Sequence, residues 1–277
     1  MKLRLPSGFL PLDRVAVMGV LNVTPDSFSD GGLWLDPDAA IRHGIEMVEQ
    51  GAAIVDVGGE STRPGAVPVP QEEELRRVIP VVEALSAELD APVSIDTRKP
   101  EVARRAVEAG ASIVNDTAGE EADRAMDDVV IDTGAAVVVM HSRGTPSTMR
   151  SLTDYDDVVA DVSSWLRERA GRLEDRGAPH DAVVLDPGFG FAKTPPQNLE
   201  ILSRIDEFLA LGHPLLVGTS RKSFIGAVLD LPEGERVEGT MATVAWAVAR
   251  GAQIVRVHDV VAGVRTARMV EAIRDAR

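Results

Sequence analysis

The 277-residue sequence predicts an α/β protein with one domain, 1–277, folded as a single (βα)8 TIM barrel. The first observation behind this prediction is a repeat in which Gly-Ala and one further residue precede Ile-Val or Val-Val. The repeat occurs at 51–55, 110–114, 134–138 and 251–255. Glycine suits the left-handed residue that ends a helix, and a β-branched pair suits the start of a strand. Each copy therefore indicates a corner between a helix and a strand.

The second observation is a set of further apolar segments that brings the number of strands to eight. These segments lie at 15–21, 92–95, 182–185 and 214–217. Helical segments separate the strands, as a parallel barrel requires. Barrel enzymes carry their active site at the C-terminal ends of the strands, so the residues that follow each strand are the candidates for function.

The amino-acid composition argues against several classes of binding partner. The sequence has 44 acidic and 29 basic residues and a formal net charge of -15, which argues against nucleic acid and anionic membranes. It has no cysteine, which excludes thiol catalysis and fits a reducing compartment. The N-terminus lacks the apolar region of a signal peptide, and no apolar run approaches ~18 residues. We therefore expect a cytoplasmic protein that binds small molecules in a local pocket.

The first two strands lead into long polar loops. Asn22 ends the first strand, and its side-chain oxygen suits a magnesium ion, although a turn asparagine is an equal alternative. The second strand continues into a glycine-rich segment, 56–65, which exposes Thr62 and Arg63. The guanidinium of Arg63 suits a phosphate, although a surface arginine is the commoner meaning. The functional interpretation is an anion site beside these two strands.

Polar side chains also end the third, fourth and sixth strands, at Asp96, Asn115 and Asp186. Each alone could cap a helix. Together they could form hydrogen bonds with the edge of a planar heterocycle rich in N–H groups. The segment after Asp186 adds two glycines and two phenylalanines, which suit a close approach of the backbone and a flat ligand. Met140, at the end of the fifth strand, either packs on that ring or fills the core.

The seventh and eighth strands supply cations. We expect a helix to begin at Ser220, so that Lys222 lies in its first turn, and a helix start with hydroxyls and cations favours an anion. Phosphate sites in barrels are frequent at these two loops. Arg256 and His258 follow the eighth strand on the same side of the chain. Beside Lys222 and Arg63 they favour contact with a diphosphate, although a structural histidine is the usual alternative.

These residues together identify a resemblance to a known family. The sequence resembles the dihydropteroate synthases of the folate pathway over essentially its whole length. The motifs that carry the resemblance are 18–30 (MGVLNVTPDSFSD), 60–64 (ESTRP), 94–97 (SIDT), 115–116 (ND), 186–191 (DPGFGF), 220–222 (SRK) and 256–258 (RVH). In this order they are highly specific, although no single motif would be. One departure is Ala192, where many members have a glycine.

The resemblance implies a role for each matching residue. Around the pterin ring it places Asp96, Asn115, Asp186 and Lys222. For the metal and the diphosphate it implies Asn22 on magnesium and Arg63, Arg256 and His258 on the diphosphate. Around 4-aminobenzoate it implies Thr62, Pro64, Phe191 and Ser223, with Phe28 from the first loop. The residues expected to be catalytic are Asp96, Lys222, Arg256 and His258.

The implied reaction joins 4-aminobenzoate to 6-hydroxymethyl-7,8-dihydropterin diphosphate and releases diphosphate. The resemblance also implies a magnesium cofactor and a homodimer. A methyltetrahydrofolate:corrinoid methyltransferase is the nearest alternative, but it has no use for a diphosphate clamp. A Schiff-base aldolase using Lys193 or Lys222 is a second alternative, and a non-catalytic pterin-binding paralogue is a third.

Overall fold

The computed structural model describes residues 1–24, 37–61, 65–122 and 124–276. The strands within these residues are β1 Lys2–Leu5, β2 Gly8–Pro11, β3 Ala16–Asn22, β4 Ile54–Gly58, β5 Val93–Thr97, β6 Ile113–Asp116, β7 Ala136–Met140, β8 Val183–Asp186, β9 Leu216–Val217 and β10 Ile254–Val257. The last eight form one parallel sheet in the order β8-β7-β6-β5-β4-β3-β10-β9. A parallel bridge between Leu185 and Leu215 joins its two outer strands. The predicted eight-stranded barrel is therefore confirmed.

Helices separate successive barrel strands. They are α1 Pro37–Glu49, α2 Gln71–Glu88, α3 Pro100–Glu108, α4 Arg124–Thr133, α5 Val158–Asp175, α6 Pro195–Ser203, α7 Asp206–Leu209, α8 Ser223–Leu229, α9 Val237–Arg250 and α10 Val260–Asp275. Proline stands in the first turn of α3 and of α6, where no backbone N–H is needed for a helical hydrogen bond. Thr194 and Gln197 close a capping box at the start of α6.

The four Gly-Ala repeats behave as the sequence predicts. Their glycines all have positive φ, at Gly51 (101°), Gly110 (113°), Gly134 (68°) and Gly251 (105°). A residue with a Cβ atom is strained in this conformation, whereas glycine adopts it readily. Each glycine ends a helix, and the branched residues after it enter a barrel strand. The repeat is thus the local cause of four of the barrel's corners.

Apolar side chains form two layers because successive residues of a strand point to opposite faces. In β3, Val17 packs between the strands and the helices, whereas Met18 belongs to the cluster inside the barrel. The inner cluster is built from residues near the N-terminal ends of the strands, such as Ile54, Ile113 and Ile254. The opposite, C-terminal ends of the strands are left for polar side chains.

The hairpin of β1 and β2 is a feature that the sequence reading missed. Leu3 on β1 is fully buried and, with Leu12, joins the cluster inside the barrel. Arg4 forms an ion pair with Asp181, which lies 177 positions further along the sequence. The distance from Arg4 Nε to Asp181 Oδ1 is 2.7 Å. The hairpin therefore covers the N-terminal end of the barrel. Each of its strands has only four residues, too few to produce a clear alternation of apolar and polar positions.

The prediction that a helix begins at Ser220 is wrong, because α8 begins at Ser223. Arg221 has a φ of 56°, a left-handed conformation that cannot continue into a helix. Two interactions hold it there: its N–H donates to Thr240 Oγ1, and its guanidinium binds Asp259 with Nη2 to Oδ1 at 2.7 Å. Ser220 and Lys222 therefore belong to a turn between β9 and α8.

Candidate active site

A cavity of about 420 Å³ opens at the C-terminal ends of the barrel strands. This volume is within the range of small-molecule sites, about 300–1,000 Å³. The predicted site residues in its wall are Asn22, Asp96, Lys222, Ser223, Arg256 and His258. They come from four separate segments of the sequence, which the barrel brings together. The structure thus assembles one polar site from residues that the sequence reading proposed separately.

Arg256 is the centre of this site. It extends from β10, where its Nε binds Asp56 Oδ2 at 2.6 Å and its Nη2 binds Asp96 Oδ2 at 2.7 Å. Asn115 Nδ2 donates to the same Asp56 oxygen at 3.0 Å. Pairing of Asp96 with Asn115 in the register of β5 and β6 places these groups side by side. One guanidinium therefore bridges two carboxylates at the predicted heterocycle site.

Burial perturbs both carboxylates of the predicted heterocycle site. Removal from water raises the pKa of Asp96 to about 7; Arg256 opposes this rise, and Asp56 adds to it. Burial likewise raises the pKa of Asp186 to about 6, against the hydrogen bond from the Gly188 N–H. Both groups would be stabilised as anions by a ligand that offers N–H donors. Perturbed acids in a cleft are typical of a functional site.

The segment after β8 turns on two glycines. Asp186 Oδ1 accepts a hydrogen bond from the Gly188 N–H at 2.7 Å. Gly188 has a φ of 72°, and a Cβ atom there would lie 1.9 Å from the His141 carbonyl oxygen. No other residue fits that position. The turn returns the chain so that the Phe191 ring lies 4.1 Å from Lys222 Nζ, a cation–π contact.

Cations line the other side of the cavity. Burial lowers the pKa of Lys222 to about 8, and the nearby Arg256 lowers it further. Burial and Arg256 also lower the pKa of His258 to about 3, so this imidazole is neutral near pH 7. Its Nδ1 lies 2.9 Å from Ser220 Oγ. Buried cations and a hydroxyl around one space can neutralise an anionic ligand.

Four predicted residues lie behind the cavity wall rather than on it: Asn115, Met140, Asp186 and Phe191. All four are buried. Met140 and Phe191 belong to one small apolar cluster, which fits either of the two interpretations of that methionine. Asn115 reaches the cavity only through Asp56 and Arg256. Direct contact of these four residues with a ligand remains a prediction.

Asp56 is a site residue that the sequence reading missed. Its side chain is fully buried, its Oδ2 accepts from both Asn115 and Arg256, and its Oδ1 has no hydrogen-bond partner among the residues that the structure describes. The sequence signal was present, because Asp56 is the polar residue directly after Ile54 and Val55, in the strand that the first Gly-Ala repeat predicts.

A second feature that the sequence reading missed is an ion-pair network that contacts the segment after β4. Lys99 Nζ forms ion pairs with Glu60 and with the fully buried Glu74. Thr97 Oγ1 donates to Glu74 Oε1 at 2.7 Å, which fixes that carboxylate. Glu60 and the next residue, Ser61, line the cavity. The network therefore positions this wall from residues far apart in the sequence, and no local pattern predicts it.

Ala192, the departure from the family pattern, has a φ of 50°. This left-handed conformation explains why many members have glycine at the position. Its carbonyl accepts a hydrogen bond from the Tyr155 hydroxyl at 3.0 Å, and its side chain packs in the cluster of Met140. These contacts hold the left-handed residue in place.

Four predicted site residues lie outside the described residues: Phe28, Thr62, Arg63 and Pro64. Their assignments to the diphosphate and to 4-aminobenzoate stay predictions. Within the part of the chain that the structure describes, no helix is long and apolar enough to cross a membrane.

The fold and the site define a class of barrel enzyme with a polar small-molecule cavity in which buried carboxylates lie beside a cluster of cations. A family described as "Pterin binding enzyme" matches residues 18–258. The chain is 48% identical over 261 residues to a dihydropteroate synthase of Synechocystis sp., covering 94% of this chain and 90% of the relative. The chain belongs to this family, among its dihydropteroate synthases.

Solved structures agree with this placement. A Yersinia pestis dihydropteroate synthase in a sulfonamide drug complex superposes with a TM-score of 0.94 at 42% identity, covering 99% of this chain and 100% of the other. The Xanthomonas albilineans dihydropteroate synthase with 4-aminobenzoic acid has a TM-score of 0.92 at 44% identity, covering 99% and 98%. These relatives give no support to the corrinoid methyltransferase alternative.

Proposed function

We propose that the chain condenses 6-hydroxymethyl-7,8-dihydropterin diphosphate with 4-aminobenzoate to give 7,8-dihydropteroate and diphosphate. The observation that carries the proposal is the single cavity where the carboxylate of Asp96 faces the cations Lys222 and Arg256. One end of it suits the N–H groups of a pterin, and the other suits a diphosphate. Membership of the dihydropteroate synthases supports the same reaction.

Binding of the pterin requires Arg256 to change partners. The guanidinium occupies Asp96, which the resemblance expects at the pterin ring, and its neighbour Asp56. A pterin can replace these bonds with its own N–H donors. The displaced guanidinium then stays within reach of the cavity that it already lines, and there it can bind the diphosphate. This exchange reconciles its pairing with its expected role.

The residues present fit a magnesium ion bound with the substrate. Asn22 lies at the end of β3, lines the cavity, and offers an oxygen donor close to Asp96. Magnesium is often held by one or two protein groups together with substrate phosphates, so a single amide oxygen beside a diphosphate is sufficient. We propose that Asn22 holds the ion, which would neutralise charge on the leaving group.

The reaction depends more on stabilising the leaving diphosphate than on a general base. The aniline nitrogen of 4-aminobenzoate is neutral and already carries a lone pair. The site therefore accelerates loss of diphosphate, with Lys222, Arg256 and His258 stabilising the departing anion. Cleavage of the C–O bond leaves positive charge spread over the dihydropterin, which Asp96 and Asp186 can stabilise as anions. The aniline nitrogen then attacks the exocyclic carbon and loses a proton.

Product formation tests the proposed function directly. The purified protein is mixed with the pterin diphosphate, 4-aminobenzoate and magnesium, and 7,8-dihydropteroate and diphosphate are measured by chromatography. We expect the two products in equal amounts, and neither when the pterin diphosphate is omitted. Absence of dihydropteroate from a folded protein that binds the pterin diphosphate would contradict the proposal and leave the non-catalytic alternative.

We expect kcat/KM to decrease at alkaline pH because Lys222 loses its proton. Its pKa is lowered to about 8, so the ammonium loses its proton as the pH rises through that value. We expect kcat/KM to fall about tenfold per pH unit above it, because a neutral amine no longer stabilises the diphosphate. In Lys222→Arg the cation persists, and the alkaline decrease should disappear. An unchanged decrease in that variant would assign it to another group.

A sulfonamide should compete with 4-aminobenzoate, because its aryl amine and acidic group resemble those of the substrate. Phe191 and Ser223, expected at this second site, both adjoin Lys222. Occupation of the first site should therefore prepare the second. We expect tighter sulfonamide binding in calorimetry when diphosphate and magnesium are present. Equal affinity with and without them would show that the second site does not depend on the first.

We infer a homodimer from the resemblance; a cytoplasmic location is the expectation drawn from the sequence composition. Exposed apolar side chains on neighbouring helices support the dimer: Leu199 on α6, Val228 and Leu229 on α8, and Trp246 on α9. Light scattering should give twice the mass of the chain. Trp246→Glu is expected to shift the protein toward the monomer, and a monomeric wild type would contradict this inference.

A further inference from the structure

Two histidines and a glutamate meet at the end of the barrel opposite the candidate active site. Glu174 lies in the last turn of α5, His180 begins the 3-10 helix just before β8, and His213 precedes β9. All three stand where strands enter the barrel. The proposed reaction uses none of them. A role for this cluster is therefore separate from the pterin chemistry.

The ligand atoms of this cluster converge on one point. His180 Nδ1 lies 2.6 Å from Glu174 Oε1, and His213 Nε2 lies 3.6 Å from the same oxygen. One donor atom from each residue falls within 4.8 Å of the others. The two imidazole rings lie 4.1 Å apart between centroids, at 37° to each other. Three side chains from separate segments thus direct metal-binding atoms into one small volume.

His213 gives the cluster a fixed, buried component. Its side chain is only 7% exposed, whereas that of His180 is 60% exposed. Its Nε2 faces Glu174 Oε1, so this imidazole offers a nitrogen to the cluster from inside the protein. The exposed side of the cluster leaves a path for an ion.

We propose that Glu174, His180 and His213 form a binding site for a divalent transition-metal ion of the zinc class. Two imidazoles and a carboxylate suit zinc, cobalt or nickel, whereas magnesium and calcium prefer oxygen ligands. Ligand atoms about 2.0–2.2 Å from a tetrahedral zinc lie roughly 3.3 Å apart. The separations of 2.6 and 3.6 Å bracket that distance, so a small rotation of the exposed His180 accommodates the ion.

The ion would join three segments at the closed end of the barrel: the end of α5, the start of β8 and the turn before β9. β9 has two residues, the shortest strand of the described barrel, and its neighbour β8 meets it only through the Leu185–Leu215 bridge. A link between Glu174 and His213 lies beside this seam. Binding to the folded state alone would therefore stabilise the barrel where its strand pairing is weakest.

The test uses the untagged full-length chain, stripped with a chelator, and zinc chloride titrated in a calorimeter. We expect one saturable site that a large excess of magnesium does not occupy. His180→Ala and Glu174→Gln should each weaken it by about tenfold or more. His43→Ala is the matched control, because His43 also adjoins a carboxylate, Glu46, at 3.6 Å, while the one group of three metal-ligating side chains found among the described residues is Glu174, His180 and His213. Its zinc affinity should equal that of the wild type.

Two further measurements separate this site from others. Bound cobalt should give visible absorption bands in the wild type, and His180→Ala should remove them. The chain has no cysteine, so these bands cannot come from thiolate ligands. Zinc should raise the melting temperature of the wild type but not of that variant, while synthase activity in magnesium stays equal in both. Absence of saturable zinc binding, or binding retained in both variants, would overturn the proposal and leave a hydrogen-bonded histidine pair.

Discussion

Asp186→Asn is expected to reduce kcat/KM for the pterin diphosphate roughly 30- to 1000-fold, equivalent to ~2 to 4 kcal/mol. The substitution replaces a carboxylate oxygen by an NH2 group, which cannot accept a hydrogen bond from the pterin edge. It also removes a negative charge that stabilises the cationic pterin. The amide oxygen can still accept the Gly188 N–H, so the turn after β8 should persist. Steady-state kinetics and pterin binding measure the loss.

Protein stability provides the control for this variant. Burial raises the pKa of Asp186 in the folded protein to about 6, above the ordinary aspartate value of 3.8. The folded state therefore binds more protons than the unfolded state between these values, and this group's contribution to stability falls as the pH rises through them. Asp186→Asn has no such titration and should be at least as stable as the wild type at pH 8. Wild-type kinetics in a stable variant would rule out the assigned role.

Arg256→Ala is the second large effect, and it should appear in two measurements. Diphosphate affinity should fall more than the affinity for a pterin without phosphates, and added salt should weaken the wild-type interaction. Folding should suffer as well, by about 3–5 kcal/mol, because Asp56 and Asp96 lose the cation between them while buried. Denaturant unfolding and calorimetry report the two losses separately.

Two variants make the outcome for Arg256 interpretable. Arg256→Lys keeps the charge but cannot bridge two carboxylates with a planar fork, so it should restore stability only in part. Arg221→Ala removes a guanidinium whose carboxylate partner, Asp259, is partly exposed, and it should cost less than Arg256→Ala. Equal losses of diphosphate and of the phosphate-free pterin in Arg256→Ala would assign Arg256 to the ring.

Local chemistry made the barrel predictable from the sequence. Each Gly-Ala repeat indicates the end of a helix and the start of a strand within five residues. In the structure, the glycine of each repeat has a left-handed conformation. The polar residues after the strands were predictable because parallel strands present their C-terminal ends together. Asn22, Asp96 and Lys222 accordingly reach one cavity.

Features that depend on distant partners escaped the sequence reading. The turn before α8 is set by Thr240 and Asp259, which hold Arg221 in a left-handed conformation. The role of Asp56 depends on Arg256, which lies 200 positions along the chain. Pairings over such separations leave no local pattern, because each partner alone is an ordinary polar residue after a strand.

The bridge from Arg256 to Asp56 and Asp96 has a consequence for selectivity. The edge of a pterin that carries its amino group is itself guanidine-like, so Arg256 already makes with Asp56 and Asp96 the kind of hydrogen bonds that we propose for the pterin. We infer that a ligand enters by competition with this side chain, and that its apparent affinity reports an exchange of partners. We expect flat molecules without a matching row of N–H donors to displace Arg256 poorly. A pterin that displaces Arg256 would also free this cation to bind the diphosphate.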